Sequence, residues 1–343
     1  MKDFKGFRKY VTSKQIKLFG SNYRSGNKGR ILKADRLIDG IISGEFENDE
    51  AAAWDLYRAK PGSKSYLMLK SRIIEQLIGL IYFVDNSKFV EKKGYIYYLV
   101  QINKYLGAGN ILIYYGFVNE GEHLIKECLK IAQKYEMPGF IISSSKMLRS
   151  RASFKGTIEE YNEYNRIIAG NMGVYKAEIE ADDIRDALNL ANRKTFSPLD
   201  KKKLTQYWKR INLLNRKFKS QVLRINRTRI GARYFETMGD FKSVIKICDE
   251  MIDFMFKNPN FYDKARHREF LNTKLEACLI LKDHKTGEVC AAQTMLLHND
   301  YSINCINSFT FCILLCLQTR QYVRAWELFD KAVNLDLFKE FPE

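Results

Sequence analysis

Residues 232–251 read ARYFETMGDFKSVIKICDEM, and residues 313–332 read ILLCLQTRQYVRAWELFDKA. In both stretches, apolar residues recur at helical spacing on each side of a short polar break. The break falls at Gly239 in the first stretch and at Arg320 in the second, at the same distance from the start of each. This shared spacing predicts two antiparallel helices joined by a tight turn.

The same spacing recurs in three further copies, of which the first is good and the other two are weaker. Their first residues and turn positions are Gly109 and Gly116, Ser145 and Ala152, and Ala277 and His284. The pattern resembles the tetratricopeptide repeat (TPR), in which small residues let paired helices approach and large residues fill the groove between repeats. The resemblance implies an all-α fold, an α-α superhelix formed as a TPR-like solenoid of antiparallel helix pairs. An irregular helical bundle is the alternative.

The predicted repeat array covers residues 87–343. Its turn positions lie 36, 87, 45 and 36 residues apart, whereas the standard repeat of this family is about 34 residues long. The longest interval is therefore expected to hold one more helix pair. Because the open end of an array needs a polar cap, we expect one of two arrangements after the last repeat. Either the protein continues further, or its last apolar residues fold back as a cap: Leu335, Leu337, Phe338 and Phe341.

Residues 1–86 contain no detectable repeat and are predicted to form an N-terminal helical region. Apolar periodicity predicts helices at about 28–43, 48–59 and 65–85. Asn48, Asp49 and Glu50 suit the positive N-terminus of the second helix. This region is either a separate domain or a cap of the solenoid.

The formal net charge of +17 is concentrated in two segments, 1–34 and 193–235, and the rest of the chain is net acidic. Between residues 201 and 235 there is no acidic residue, and apolar residues recur at helical spacing, which predicts cations flanking a buried face. On one helix or two joined helices, such a row would reach up to about 50 Å. It should bind a polyanion or partner, or face the chain's own acidic run at 178–186. The candidate binding residues are Lys201, Lys202, Lys203, Lys209, Arg210, Arg216, Lys217, Lys219, Arg224, Arg227 and Arg229.

The sequence offers no catalytic, cofactor-binding or metal-binding constellation, so we predict that the protein is not an enzyme. Ser143–Lys146 and Lys285–Gly287 match two short motifs of penicillin-recognising serine enzymes, but both fall in predicted helical repeats. The loop Gly20–Lys28 has the wrong spacing for a phosphate-binding loop. The four histidines are far apart and form no zinc pattern: His123, His267, His284 and His298.

Composition predicts a cytoplasmic protein that does not enter a membrane. The seven cysteines form no Cys-x-x-Cys pair and lie in apolar helical runs, which is typical of buried thiols in a reducing compartment. No signal peptide is visible, and no apolar stretch reaches the roughly 18–20 residues that span a bilayer.

Two functional hypotheses follow. The first is a non-enzymatic protein–protein interaction scaffold whose TPR-like superhelical surface binds a peptide or protein segment, as the resemblance implies. The alternative is a nucleic-acid-binding protein whose basic 201–235 stripe contacts phosphates in a salt-sensitive manner.

Overall fold

A computed structural model describes residues 33–43, 45–46, 48–81, 94–191, 201–297 and 303–334, with the backbone alone at 41–42, 75–81 and 303–305. The chain divides into two compact units, Met1–Phe89 and Val90–Glu343. Throughout these described ranges the secondary structure is helical and contains no strand, which confirms the all-α prediction. The predicted boundary after residue 86, like the segment 335–343, lies outside them.

The first unit contains three described helices, α1 (Lys33–Ser43), α2 (Asp49–Tyr57) and α3 (Lys64–Ile81). The side chain of Asn48 accepts a hydrogen bond from the Ala51 backbone N–H at 2.8 Å, so α2 begins where the sequence predicts. Leu37, Ala52 and Ile73, one from each helix, are fully buried together. The predicted continuations to residues 28 and 85 fall outside the described ranges.

The second unit contains eleven described α-helices, with a short 3-10 helix (Pro259–Phe261) between the seventh and the eighth. They are α4 (Tyr95–Tyr114), α5 (Val118–Lys134), α6 (Pro138–Lys155), α7 (Ile158–Ala191), α8 (Lys201–Lys217), α9 (Gln221–Met238), α10 (Phe241–Lys257), α11 (Lys264–Leu281), α12 (His284–Leu296), α13 (Ile303–Gln318) and α14 (Tyr322–Val333).

Three of the predicted turns lie where the repeat pattern places them. Gly116, Gly239 and Arg320 have φ angles of 90°, 76° and 60° and stand between α4 and α5, α9 and α10, and α13 and α14. At each turn, the next backbone N–H donates to a carbonyl five residues earlier, at 2.8–2.9 Å. This bond closes the helix end and requires a left-handed backbone at the turn residue. Such a backbone favours glycine, and two of the three turn residues are glycines.

In the two weaker copies, the turns lie at other residues than the repeat pattern predicts. Ala152 is buried inside α6, and the turn comes at Gly156, before α7. Thr157 and Glu160 form a reciprocal capping box there, with bonds of 3.1 and 3.2 Å. In the second weak copy, the left-handed turn residue is Lys282 (φ 57°), and the predicted turn residue His284 instead begins α12. The spacing of the apolar residues is compatible with more than one position of the turn, whereas the capping residues fix a single position.

Close helix contact explains two glycines of the pattern. Gly109 on α4 and Gly121 on α5 face each other, and a Cβ added at Gly121 would lie 2.7 Å from the Gly109 carbonyl oxygen. Neither position can therefore carry a side chain without separating the two helices.

Successive helices of the second unit pack on each other, and some alternate helices also touch, namely α7 with α9 and α11 with α13. Apolar side chains form successive clusters along the chain, centred on α4–α6, on α7–α9 and on α9–α13. Helix α7 has 34 residues, so it is about 51 Å long. It packs against α6 through one part and against α8 and α9 through another. The long interval between residues 152 and 239 thus holds α7, α8 and α9, so a double-length helix and α8 take the place of the additional helix pair that the spacing predicts.

Candidate functional site

The basic stripe begins on α8, whose apolar side is buried as predicted. Leu204, Ile211 and Leu214 are almost completely buried, and the cations of α8 are exposed around the remaining surface. The predicted continuous row of about 50 Å does not form, because α8 ends at Lys217 and the chain turns back into α9. Lys219 lies exposed in that turn.

Several arginines of the stripe are bound by the chain's own acids. Arg210 pairs with Glu180 of α7 at 2.7 Å, which lowers the pKa of that carboxyl group. Arg229 forms two bonds of 2.6 Å to Glu269 of α11. Arg227 contacts Glu250 of α10 at 3.3 Å, and Arg224 lies 4.5 Å from the ring centroid of Phe254. The stripe thus partly faces internal acids, including the run at 178–186.

Three of the exposed cations that remain, Lys209, Arg216 and Lys217, line a depression of about 790 Å³, which we call the α8 groove. Lys209 and Arg216 are exposed and have no acidic partner in the part of the chain that the structure describes. Lys217 contacts the ring of Phe218, with its Nζ atom 5.3 Å from the centroid. The groove is lined by Trp208, Lys209, Asn212, Leu213, Arg216, Lys217 and Arg227.

The remaining candidates, Lys201, Lys202 and Lys203, lie exposed in the first turn of α8 and do not line the groove. The structure therefore brings together four of the eleven candidate binding residues: Lys209, Arg216, Lys217 and Arg227.

A second depression, of about 540 Å³, lies among α7, α9 and α11, and we call it the alternate-helix groove. Its apolar residues are Leu188, Ile230, Ala232 and Phe270, and its polar residues are Arg185, Asn189, Arg229, Arg233, Glu236, Glu269 and Thr273. Of these residues, only Arg229 is among the candidates that the sequence predicts. No spacing along the chain signals the others, because they are brought together by the packing of three helices.

The charges of the alternate-helix groove are mixed and partly buried. Arg185 binds Asp182 at 2.6 Å and Asp186 at 3.0 Å. Burial is the main cause that raises the pKa of Glu236, and Arg233, at 3.4 Å, opposes the shift. The groove therefore presents guanidinium donors and carboxylate acceptors side by side.

Buried polar contacts fix the alternate helices that form this groove. The Ser220 hydroxyl donates to Glu178 at 2.5 Å, and the Asn226 amide donates to Asp182 at 2.9 Å, so both bonds join α9 to α7. Burial raises the pKa of Glu178 to about 7, and the bond from Ser220 opposes this shift. The Ser220–Glu178 bond is buried, and a bond of this kind is costly to break in a low-dielectric interior, so it helps to set the register between the two helices.

No family model matches this chain. No curated protein is similar to it either. The TPR resemblance thus rests on the spacing of the repeat units and stays a prediction.

The short motifs that resemble those of serine enzymes lie on separate helices of the described chain. Ser143 and Lys146 are exposed on α6, and Lys285–Gly287 forms the first turn of α12. The loop Gly20–Lys28 lies outside the described residues. Within the described ranges, no three His, Cys, Asp or Glu side chains are grouped so that they could hold a metal ion. The cysteines whose side chains the structure describes are buried free thiols: Cys128, Cys248, Cys278, Cys290, Cys312 and Cys316. No described helix is long and apolar enough to cross a membrane.

Proposed function

We propose that this chain is a non-enzymatic protein–protein interaction scaffold that binds a segment of a protein partner in the alternate-helix groove. The observation that carries this proposal is the composition of the groove. Side chains from three separate helices converge on one depression, whose lining combines four buried apolar residues with a larger number of hydrogen-bond donors and acceptors. Concave sites of this kind fix a ligand by apolar contact and orient it through a few polar groups.

The mixed charge favours a protein segment over a nucleic acid at this groove. A phosphate backbone would meet Glu236 and Glu269 as well as the arginines. Peptide N–H and C=O groups can use both kinds of partner, since each residue of a peptide carries one donor and one acceptor. The side chains of Asn189 and Arg233 are exposed at the rim, where they can contact such a segment, and Arg233 also pairs with Glu236 at 3.4 Å.

Site-directed photo-cross-linking tests this function. In the first step, the intact chain with a photoreactive residue in place of Thr273 captures proteins by cross-linking. In the second step, the affinity of an Arg233→Glu variant for the captured protein is measured. We expect one protein to cross-link at position 273 and the variant to bind it at least about tenfold more weakly, a loss of about 1.4 kcal/mol. Lys242→Glu, on exposed α10 surface outside the groove, is the matched control. Equal loss in both variants, or cross-links only at other positions, would refute the proposal.

Nucleic-acid binding is the second candidate, because Lys209 and Arg216 of the basic stripe are exposed and have no acidic partner among the described residues. It predicts that generic RNA or DNA binds at low salt and dissociates at moderate salt, because bound phosphates release counterions. Reversing Lys209, Arg210, Arg216 and Lys217 to glutamate should then abolish binding.

A further inference from the structure

The α8 groove contains an exposed apolar residue among its cations. Leu213 is 54% exposed, and it lines the groove together with Lys209 and Arg216. We propose that this groove binds an acidic amphipathic helix of a protein partner. One apolar side chain of that helix would contact Leu213, and carboxylates on either side would pair with the cations.

The spacing of the groove residues specifies the spacing in the partner. Lys209 and Arg216 are seven residues apart on α8, which is about 10.5 Å along the axis, and Leu213 lies between them on the same face. A helix packed alongside α8 has the same rise per residue. Carboxylates at positions i and i+7, with an apolar residue at i+3 or i+4, would therefore meet these three side chains in turn.

The charges of the groove are available to a partner. Lys209 and Arg216 have no acidic partner among the described residues, and Lys217 has only its contact with Phe218. Arg227 is held in place by Asn212, which accepts a bond from its Nε atom at 2.9 Å, and by Glu250 at 3.3 Å. A carboxylate that enters the groove would therefore be attracted to a cluster with more cations than acidic groups.

The aromatic residue of the groove is not free to stack on a nucleotide base. The Trp208 ring is stacked against Tyr234 with 5.7 Å between centroids, and the guanidinium of Arg227 lies 5.5 Å from the Trp208 centroid. Single-stranded nucleic acids gain much of their affinity from free aromatic faces. A phosphate chain would also leave Leu213 against polar atoms, whereas an amphipathic helix covers it. The groove therefore favours the acidic helix.

Peptide binding measured by fluorescence anisotropy tests the proposal. The probes are labelled helical peptides with glutamates at i and i+7 and leucine at i+3 or i+4, and matched peptides with serine in place of the leucine. We expect a leucine peptide to bind the full chain and the serine peptides to bind at least about tenfold more weakly. Poly(U) RNA, measured over a range of salt concentrations, is the second ligand.

Variants of the chain separate the apolar contribution from the charge contribution. Leu213→Asp should weaken the leucine peptide at least about tenfold while changing RNA binding much less, and the triple reversal K209E/R216E/K217E should remove both. The matched control is K242E/K246E, which reverses two exposed lysines of α10. Circular dichroism checks folding, and Leu213→Ser replaces the aspartate variant if that one unfolds.

The outcomes are decisive. The proposal is overturned if neither leucine peptide binds, if leucine and serine peptides bind equally, or if Leu213→Asp leaves peptide affinity unchanged. RNA binding without peptide binding would assign the groove to a polyanion instead. This site is formed by other side chains than the alternate-helix groove, so Arg233→Glu should leave peptide affinity intact, and each proposal can fail alone.

Discussion

Gly121→Ala should destabilise the second unit, although alanine is the better helix former. An added Cβ would lie 2.6 Å from the Ile113 Cγ1 atom, 2.7 Å from the Gly109 carbonyl oxygen and 3.1 Å from the Ile113 backbone nitrogen. Two of these three atoms are backbone, so no side-chain rotation relieves the clash, and α4 and α5 must move apart. Overpacking of this kind costs about 1–3 kcal/mol, and the gain in helix propensity is about 1 kcal/mol. The expected net loss is about 1 kcal/mol.

Gly170→Ala is the matched control, because Gly170 lies within α7 and an added Cβ there would meet nothing within 4 Å. It should stabilise the unit by up to about 1 kcal/mol through propensity and reduced unfolded-state entropy. The two variants are thus expected to shift stability in opposite directions.

Urea unfolding, followed by circular dichroism, measures the free energy of unfolding of both variants. Amide hydrogen exchange of α4 and α5 shows whether the effect is local, since stability in a helical array need not be uniform. If Gly121→Ala stabilises the protein as much as Gly170→Ala does, the close crossing of α4 and α5 is refuted.

Three further predictions concern buried charge and helix ends. Burial raises the pKa of Glu178 from 4.5 to about 7, so its contribution to stability is lost as pH rises between these values, by about 3 kcal/mol. Glu178→Gln should flatten that part of the pH–stability curve and raise stability at pH 8; an unchanged curve would contradict the burial argument. Arg229→Ala should cost about 1–3 kcal/mol in urea unfolding, because it leaves the part-buried Glu269 unpaired. Arg210→Ala, at an exposed pair, should cost less than about 1 kcal/mol, and equal losses would show that burial does not matter. Asp240→Ala should lower stability by about 1 kcal/mol, because Asp240 caps α10 by accepting from the Ser243 N–H at 3.1 Å. A thermal midpoint unchanged from the parent would refute the capping role.

The helix boundaries were predictable where a specific residue type was needed. Gly116 and Gly239 supply left-handed backbone, and Asn48 supplies a cap, so these three ends could be predicted from local chemistry. The repeat pattern misplaces the turns near residues 156 and 282, because apolar periodicity does not depend on the residues that cap the helices there. The Thr157–Glu160 capping box was present in the sequence and would have corrected the first of them.

The candidate site was only partly predictable. Helical spacing correctly separated the buried side of α8 from its cations, because that separation depends on one helix alone. It could not show that Arg210 would meet Glu180, 30 residues away, or that Arg229 would meet Glu269, 40 residues away. Those pairs withdraw cations from the stripe and leave Lys209, Arg216 and Lys217 as the exposed cluster.

The amino-acid sequence by itself determined that the described chain is helical, that the apolar side of α8 is buried, and that helices end at Gly116, Gly239 and Arg320. These properties follow from interactions within about one turn of helix or across one tight turn. Only the tertiary structure decided which charges are neutralised and which side chains line the two grooves. Ion pairs and grooves depend on distances between helices that are far apart in the chain, and such distances are set by packing rather than by local spacing.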